Sequence, residues 1–482
     1  MNRSIVPKIL ICFLIGGCTL APSYKRPESP VPSSWPSGTA YQSVSTDDAP
    51  TLPEIANLPW QSFFKDERLQ KVIDIALSNN RDLRIAALNV ERVRALYRVQ
   101  RSELPPVINT DGNFAKSRNA KDFSNTGEAT TGQSYSVNLG VSSWEIDFFG
   151  RIQSLTESAL EEYFATEEAR RAAQIALISQ TANTYLAVAA ERERLALAQS
   201  TYVAQQATAD LIKRRFGVGL ANELELRQAQ SRADAARVDV ALYTRQLAQV
   251  ENALTYLLGG QPVATELMLP DLSSFKTLPE ISAGISSEAL LNRPDILEAE
   301  RRLRAVNANI GAARAALFPR IILTTSIGTA SAELSNLFSA GADTWNFAPH
   351  ITIPIFDPRA WSALDVIETQ QKMAVAQYEK AIQTAFREVS DTLATRGTID
   401  EQLAAQKSLT DSVAEMFHIA DLRYNKGIDS YLTVLDAQRS LYAAQQAYIN
   451  LRLIKLENQV RLYAVLGGGG VIEKQQQKAT GS

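Results

Sequence analysis

Apolar residues recur at helical spacing over long, unbroken stretches of the chain. Five of them lie seven residues apart, at Val188, Leu195, Tyr202, Ala209 and Phe216. Further along, steps of four and three positions separate Leu409, Val413, Met416 and Ala420. Both spacings are typical of coiled coils, in which a narrow apolar face of one helix packs against its neighbour. The pattern therefore predicts long helices that pack lengthwise.

Proline and glycine mark where these helices end. Residues 151–258 contain no proline and have glycine only at 217 and 219. Residues 359–466 also contain no proline and have glycine only at 397 and 427. Because proline breaks helix interiors and glycine favours helix ends, each block predicts two long helices joined by a tight turn. Shorter helices are predicted from Leu69 to Leu104 and from Ser286 to Leu317.

The apolar period changes to two between the short and the long helices. One face of a strand is predicted to carry Tyr135, Val137, Leu139 and Val141, and the other face Ser134, Ser136 and Asn138. We expect one β-hairpin near residues 107–149 and another near residues 320–356, which makes four strands per chain. Alternation over about ten residues with aromatic ends is typical of outer-membrane strands. A pair of soluble hairpins fits any one of these segments equally well.

The two halves of the chain repeat the same plan. "FGVGLANELELRQAQS", from Phe216, matches "YNKGIDSYLTVLDAQR", from Tyr424. The short-helix segments match at nearly the same separation. We therefore divide the chain into a signal peptide (1–17), a lipidated extended segment (18–68), a first repeat (69–258), a linker (259–285), a second repeat (286–466) and a disordered tail (467–482).

A short apolar run precedes one of the two cysteines, Cys18. The run is too short to span a bilayer, which takes about 20 apolar residues, and Arg3 and Lys8 lie on its N-terminal side as in a secretory signal. "LIGGC", ending at Cys18, resembles the bacterial lipobox. That resemblance implies S-diacylglycerol and an N-acyl chain on Cys18; the alternative is an ordinary signal peptide with an incidental cysteine.

Composition argues against several classes of function. The 482 residues are 45% hydrophobic and 21% charged with a net charge of −3, which gives no reason to expect a nucleic-acid partner. The two histidines, His350 and His418, lie far apart without a cluster of metal ligands around them. No catalytic motif is present. We therefore predict neither an enzyme nor a metal site, and no cofactor apart from the lipid on Cys18.

Four strands per chain cannot close a barrel, and hydrocarbon does not tolerate an open sheet edge. If the strands span a membrane, several copies must therefore share one barrel of at least eight strands. The number of copies stays open on these grounds.

The order of elements, with "SYSVNLGVSSWEIDFFGR", "RPDILEAERRLRAVNANIGAARAALFPRI" and "LDAQRSLYAAQQ", resembles the lipoprotein, OprM-like branch of the TolC family over nearly the whole chain. The resemblance implies a mainly α fold with a membrane β-barrel: a trimer with a twelve-stranded barrel in the outer membrane and a long coiled-coil α-helical barrel across the periplasm. It also implies two partners, a periplasmic membrane-fusion adaptor and an inner-membrane transporter of the resistance-nodulation-division (RND) type.

The same resemblance assigns roles near the two glycine turns. It implies that the adaptor docks on two sets of turn residues, Val218, Gly219 and Leu220 in the first repeat and Lys426, Gly427 and Ile428 in the second. It places Tyr424, Asp436 and Glu225 in a gate, where three copies of Asp436 would form an acidic ring. The sequence departs from TolC at Asp429, where that protein has a latch arginine, and at Thr433, where it has a ring aspartate.

The function predicted is the exit duct of a tripartite RND multidrug efflux pump, located in the outer membrane and extending into the periplasm. One alternative is the exit duct of a type I protein secretion system, which uses the same architecture. Another, from a different class, is a lipid-anchored coiled-coil spacer between envelope layers. Four alternating strands with aromatic ends favour a channel over a spacer.

Overall fold

A computed structural model describes residues 19–41, 58–123, 127–276, 278 and 287–469. The predicted signal peptide, Cys18, most of the predicted tail and part of the linker lie outside the described residues. The helices are α1 (Trp60–Phe63), α2 (Glu67–Asn79), α3 (Arg81–Arg101), α4 (Arg151–Gly217), α5 (Glu223–Leu257), α6 (Pro294–Ala315), α7 (Pro358–Asn425) and α8 (Tyr431–Val465). The strands are β1 (Ile108–Asn119), β2 (Thr130–Ile146), β3 (Arg320–Ser331) and β4 (Asp343–Thr352).

The chain divides into two compact units. The first contains the sheet and comprises residues 91–165, 299–377 and the described part of 1–27. The second is helical and comprises the described parts of residues 28–90, 166–298 and 378–482. No helix among the described residues has an apolar stretch long enough to cross a membrane.

The predicted long helices and glycine turns are confirmed. Helices α4 and α7 have 67 and 68 residues, and α5 and α8 have 35 residues each. Each half of the chain thus contains one very long helix, a five-residue turn and a shorter helix. The mainly α fold with four strands and two repeats follows the sequence pattern closely, because neither proline nor a further glycine turn interrupts the helical blocks.

The two predicted short helices begin and end differently from the sequence expectation. The first is two helices, α2 and α3, which Asn80 separates with an extended backbone (φ −63°, ψ 130°). The Asn80 side chain accepts a hydrogen bond from the Leu83 N–H at 3.0 Å and donates one to the Leu257 carbonyl at 3.1 Å. Asparagine therefore ends one helix and caps the next. In the second repeat, a 3₁₀ helix (Ser287–Asn292) precedes α6.

The two hairpins join into one antiparallel sheet with the order β1-β2-β3-β4. Strand β2 pairs with β3 from Tyr135 to Ile146, with Leu139 opposite Ile327, so strands about 190 residues apart in sequence become neighbours. A bulge between Val141 and Trp144 interrupts the register, and Ser143 there has a positive φ of 57°. The outer strands β1 and β4 have no partner strand among the described residues.

The register gives the sheet two chemically different faces. Residues opposite one another in antiparallel strands share a face, so the pairing places the aliphatic and aromatic side chains together. This apolar face includes Phe114, Tyr135, Val137, Leu139, Trp144, Ile327, Trp345, Phe347 and Ile351. The polar face includes Asp111, Asn113, Ser134, Ser136, Asn138, Ser326, Thr344 and Asn346. The alternation predicted for β2 is confirmed. It continues on β4, whereas the same face of β1 is apolar only at Ile108 and Phe114.

The N-terminal segment of the first unit, residues 19–27, is held by a buried carboxylate on α6. Glu300 accepts hydrogen bonds from Arg26 at 2.5 Å, from Arg304 at 2.7 Å and from the Tyr24 hydroxyl at 3.2 Å. Burial alone would raise the pKa of Glu300, but the bonds from the two arginines outweigh burial and lower it. Burial, together with the nearby Glu300 charge, raises the pKa of Tyr24 to about 12.

Gly311 of α6 lies at the first residues of that segment. Thr19 and Ser154 share a hydrogen bond of 3.2 Å between their hydroxyls. A Cβ atom at Gly311 would lie 2.6 Å from the Ser154 hydroxyl oxygen and 2.7 Å from the Ala21 backbone nitrogen. Glycine at 311 therefore permits a close approach that a side chain would prevent.

Candidate gate and docking turns

Both glycine turns end their long helix with the same backbone motif. In the first, the Leu220 N–H donates to the Arg215 carbonyl at 2.8 Å, and the Gly219 N–H donates to the Phe216 carbonyl at 3.0 Å. In the second, Ile428 and Gly427 make the equivalent bonds, at 2.9 and 2.8 Å. These are the two bonds of a Schellman motif, which needs a left-handed residue after the helix. Gly219 and Gly427 supply it, with φ of 78° and 70°.

The helix that follows the first turn begins with a capping box. The Asn222 side chain accepts from the Glu225 N–H at 2.9 Å, and the Glu225 carboxylate accepts from the Asn222 N–H at 3.3 Å. Two N–H groups that the helix leaves unpaired are thereby satisfied. In this conformation the carboxylate of Glu225, a predicted gate residue, serves the helix cap.

The second turn uses an ion pair instead. Arg423 donates to the Asp429 carboxylate at 2.6 and 3.1 Å, which links the last turn of α7 to the start of α8. The hydrogen bond from Arg423 lowers the pKa of Asp429. Ser430, the N-cap residue of α8, makes no capping hydrogen bond through its side chain. Asp429, where TolC has an arginine, thus pairs with an arginine of its own chain.

All four long helices pack together beside the two turns. The shared core has small and medium apolar side chains, which let the helices approach closely. Its buried members are Ala209 and Ile212 of α4, Leu226, Ala229 and Ala233 of α5, Ala420 of α7, and Tyr431, Val434, Leu435 and Ala437 of α8. The two repeats therefore form one packed layer at this end of the helices.

A polar bond crosses between the two repeats at the edge of this core. Arg215, near the end of α4, donates to the Tyr424 hydroxyl at 2.9 Å. The Tyr424 ring lies 5.3 Å from the ring of Tyr431, whose pKa burial raises to about 12, with a smaller effect from Tyr424. Tyr424, predicted as a latch residue, thus bonds across the repeats, although the sequence did not indicate Arg215 as its partner.

Asp436 lies on the first turns of α8, five residues after Tyr431. Its carboxylate accepts from Arg439 at 2.6 Å, and both side chains are about two thirds exposed, at 65% and 64%. A similar exposed pair, Asp234 and Arg237 at 3.3 Å, lies on α5. The predicted ring aspartate is therefore accessible and has a cation beside it.

The predicted docking residues protrude from the turns. Val218 is 72% exposed, Leu220 69% and Ile428 60%. Leu224 and Leu432, which occupy equivalent positions in the two repeats, are also exposed. Each turn therefore presents a small apolar surface of its own.

The structure brings most of the predicted site residues to these two turns, and it adds their arginine partners Arg215, Arg423 and Arg439. A signal for the first two was present, because Arg215 and Arg423 occupy equivalent repeat positions in the last helical turn, where cations favour the helix dipole. No group of three His, Cys, Asp or Glu side chains that could hold a metal ion occurs among the described residues.

Comparison with known proteins identifies the family. The sequence pattern of the family described as outer membrane efflux protein matches residues 72–260 and 285–468, most of both repeats. The chain belongs to this family. This outer membrane efflux protein is 46% identical to the solvent efflux pump outer membrane protein SrpC of Pseudomonas putida over 459 residues, covering 95% of this chain and 96% of SrpC.

Two further relatives extend the likeness. The antibiotic efflux pump outer membrane protein ArpC of Pseudomonas putida is 45% identical over 470 residues, covering 97% of this chain and 96% of ArpC. The crystal structure of the open state of the Neisseria gonorrhoeae MtrE outer membrane channel superposes with a TM-score of 0.83 at 35% identity, covering 94% of this efflux protein and 98% of MtrE. The resemblance to the TolC family seen in the sequence is confirmed.

Proposed function

We propose that three copies of this chain form the exit duct of a tripartite efflux pump, which passively conducts drugs and other small toxic compounds across the periplasm and the outer membrane. The four-stranded sheet carries this proposal, because its outer strands β1 and β4 lack partners among the described residues. Their backbone N–H and C=O groups must be paired inside a bilayer, and strands of neighbouring copies would pair them. Three copies would close a twelve-stranded barrel.

The two faces of the sheet support the same arrangement. In a closed barrel the apolar face would contact lipid, and the polar face would line a water-filled lumen. Trp144 and Trp345 lie on the apolar face, as aromatic residues at membrane interfaces do. A soluble spacer would have no reason to expose this apolar face to water.

The turns suit docking of a periplasmic adaptor. The exposed apolar side chains at Val218, Leu220 and Ile428 would insert into the adaptor. Gly219 and Gly427 would let its backbone come close, and Lys426 would offer a charged contact. An inner-membrane RND transporter would supply the energy, since no catalytic group is assigned to this chain. Substituting Leu220 and Ile428 by glutamate should abolish co-purification with the adaptor, whereas Ala207→Glu, on the exposed surface of α4, should leave it unchanged.

The gate would lie beside the same turns. Asp436 would form an acidic ring on the threefold axis and favour cations. The bond between Arg215 and Tyr424 would hold the two repeats of one copy together in the closed state. Glu225 would reach the gate only by giving up its bond to the Asn222 N–H.

A matched pair of variants tests the role of Asp436. Asp436→Ala should reduce the preference of the channel for cations over anions, measured as a reversal potential across a planar bilayer. Asp234→Ala removes a similarly exposed aspartate that also has an arginine three residues on. Equal ion selectivity in the two variants would remove Asp436 from the gate.

We further propose that Cys18 carries S-diacylglycerol and an N-acyl chain, which anchor the protein in the outer membrane. The lipobox-like residues before it support this assignment. Mass spectrometry of the N-terminal peptide of the mature protein should show the acyl groups, and Cys18→Ser should lack them. An unmodified Cys18 would leave only a cleaved signal peptide.

Two measurements test the duct itself. Purified oligomer should conduct ions across a planar bilayer, and deletion of the gene should increase susceptibility to solvents and antibiotics. The names of SrpC and ArpC, a solvent and an antibiotic efflux protein, favour this outcome over protein export. Lost secretion of a protein with unchanged drug susceptibility would instead indicate the type I secretion duct, and absence of any conductance would contradict both.

A further inference from the structure

The apolar face of the sheet carries charged side chains only near the loop ends of its strands. The register places Lys116 opposite Gln133, Arg118 opposite Thr131 and Asp343 opposite Thr329, all on this face. The other charged residues of the strands, among them Asp111, Glu145 and Arg320, lie on the polar face. A charge on the lipid-facing side of a barrel is costly at the bilayer midplane but not at the interface, so the depth of Lys116 and Arg118 decides their role.

Aromatic side chains indicate that depth. Phe114 and Tyr135 are opposite each other, with ring centroids 4.7 Å apart. Such aromatic pairs mark the boundary between hydrocarbon and headgroups. Lys116 and Arg118 follow Phe114 by two and four residues, which is about 7 and 14 Å along the strand. With the usual strand tilt, they would lie roughly 5 and 10 Å beyond the aromatic boundary, at the depth of lipid headgroups.

The chain connections indicate which leaflet this is. Helices α3 and α6 lead into β1 and β3, and β2 and β4 lead into α4 and α7, so these four helices all join the sheet at the same end. The loops between β1 and β2 and between β3 and β4 lie at the other end. On the proposed function, on which this inference rests, the helices are periplasmic and the loop end reaches the outer leaflet.

We propose that Lys116 and Arg118 bind phosphate groups of the phosphorylated glycolipid that forms the outer leaflet of the outer membrane. Both side chains are exposed and neither makes an ion pair with another described residue. An arginine fork donates two parallel hydrogen bonds to a phosphate, and lysine adds a point charge. Gln133 and Thr131, opposite them on β2, offer neutral donors to the same headgroup. Phe114 and Tyr135 would contact its acyl chains.

An ion pair between copies is the competing explanation. Asp343 begins β4, an outer strand that would pair with β1 of the next copy in a closed ring. It is the one carboxylate on the apolar face of the described strands, so each copy keeps one net positive charge there even if Asp343 pairs with Lys116 or Arg118 of its neighbour. The test therefore includes Asp343.

The experiment measures binding of purified lipid A to the full trimer in detergent by native mass spectrometry. A basic residue near an anionic membrane surface contributes about fivefold in affinity, so K116Q/R118Q should bind lipid A roughly 25-fold more weakly. Lipid A without its phosphates should bind the unchanged protein equally weakly, and the double variant should not discriminate between the two lipids. K116R/R118K should retain binding, and K372Q/K380Q, on the exposed surface of α7, should match the unchanged protein.

Three outcomes would overturn the proposal. These are equal binding by K116Q/R118Q and the unchanged protein, an equal loss with dephosphorylated lipid, or a loss with D343N as large as that of the double variant. The trimer mass and the bilayer conductance of each variant are recorded in parallel. If the proposed duct function is wrong, the unchanged protein will show no bilayer conductance, whatever the lipid-binding data show.

Discussion

The two glycine turns have the same backbone and different side-chain chemistry. Both end a long helix in a Schellman motif with glycine at positive φ. The first turn is fixed at the next helix by reciprocal bonds between the side chains and backbone N–H groups of Asn222 and Glu225. The second is fixed by a charged pair between Arg423 and Asp429. The arginines also differ, because Arg215 reaches across to the other repeat and Arg423 stays within its own turn.

The comparison separates what the duplicated architecture requires from what each copy can vary. The helix end must reverse the chain within five residues, and only a left-handed residue at one position does so; both repeats therefore have glycine there. The side chains around it have alternatives, since a cap needs only a bond to unpaired N–H groups or a favourable charge. The second turn has an exposed ion pair, which salt screens, whereas the first has a capping box.

Replacing the glycine at positive φ should have the largest effect on local stability, and the effect should be equal in the two turns. Gly219→Val and Gly427→Val force a β-branched residue to positive φ and should each destabilise the local structure by about 2 kcal/mol. Hydrogen exchange of the last helical turn, measured by mass spectrometry, should then be roughly thirtyfold faster. Gly217→Ala is the control, because Gly217 lies within α4 and an added Cβ atom there would meet only open space. Unchanged exchange in the valine variants would contradict the Schellman description.

The bond between the repeats should give the next largest effect. Arg215→Met and Tyr424→Phe should each speed exchange at both turns, and a double-mutant cycle should give a coupling of about 1.5 kcal/mol, the lower end for a hydrogen bond to a charged group. Arg214→Met, which changes the exposed neighbour, should show no coupling to Tyr424→Phe. Additive effects of Arg215 and Tyr424 would show that the bond does not contribute to stability.

The helix caps should respond unequally. Asn222→Ala removes a side chain that accepts from a backbone N–H and should cost about 1 kcal/mol at the start of α5. Ser430→Ala removes a side chain without a capping bond and should change exchange at the start of α8 very little. A similar loss in both variants would mean that Ser430 caps its helix in solution.

The smallest effect should come from pH and should appear at the second turn. The pKa of Asp429 is lowered in the folded state by the bond from Arg423, so the charged form is favoured there. Its stabilisation is present above the ordinary pKa of an aspartate and is lost as pH falls through the lowered folded value. Exchange at the second turn, relative to the first, should rise below about pH 4. Asp429→Asn should make this ratio independent of pH.

Much of the fold could be predicted from the sequence because the signals that define its helices, turns and strands are local in sequence. Missing prolines, paired glycines and a change of period from seven to two define the helices, turns and strands of each repeat. The break at Asn80 was missed because the apolar helical pattern continues across it, although asparagine is a favoured N-cap residue. Its side chain bonds to Leu257, which is 177 residues away. The pairing of β2 with β3 is also long-range, and the periodicity of either strand contains no information about it.

The candidate site divides in the same way. The positions of Gly219, Gly427 and the exposed turn residues could be predicted from the distribution of proline and glycine and from the internal repeat. The partner of Tyr424 depends on which helices pack side by side and at what rotation. Asp429 and Asp436 instead pair with arginines six and three residues away in sequence. The internal repeat would predict equivalent partners for Arg215 and Arg423, but the two arginines bond to different acceptors.

Gly311 has a consequence for how the N-terminal segment is held in the first unit. Ala21 fits into a space bounded by Ser154 of α4 and by the bare α-carbon of Gly311 on α6. This space exists only where α4 and α6 lie side by side, so the binding site of the N-terminal segment depends on the packing of these two helices. A methyl group at 311 would overlap with Ser154 and Ala21 and would displace the N-terminal segment from α6.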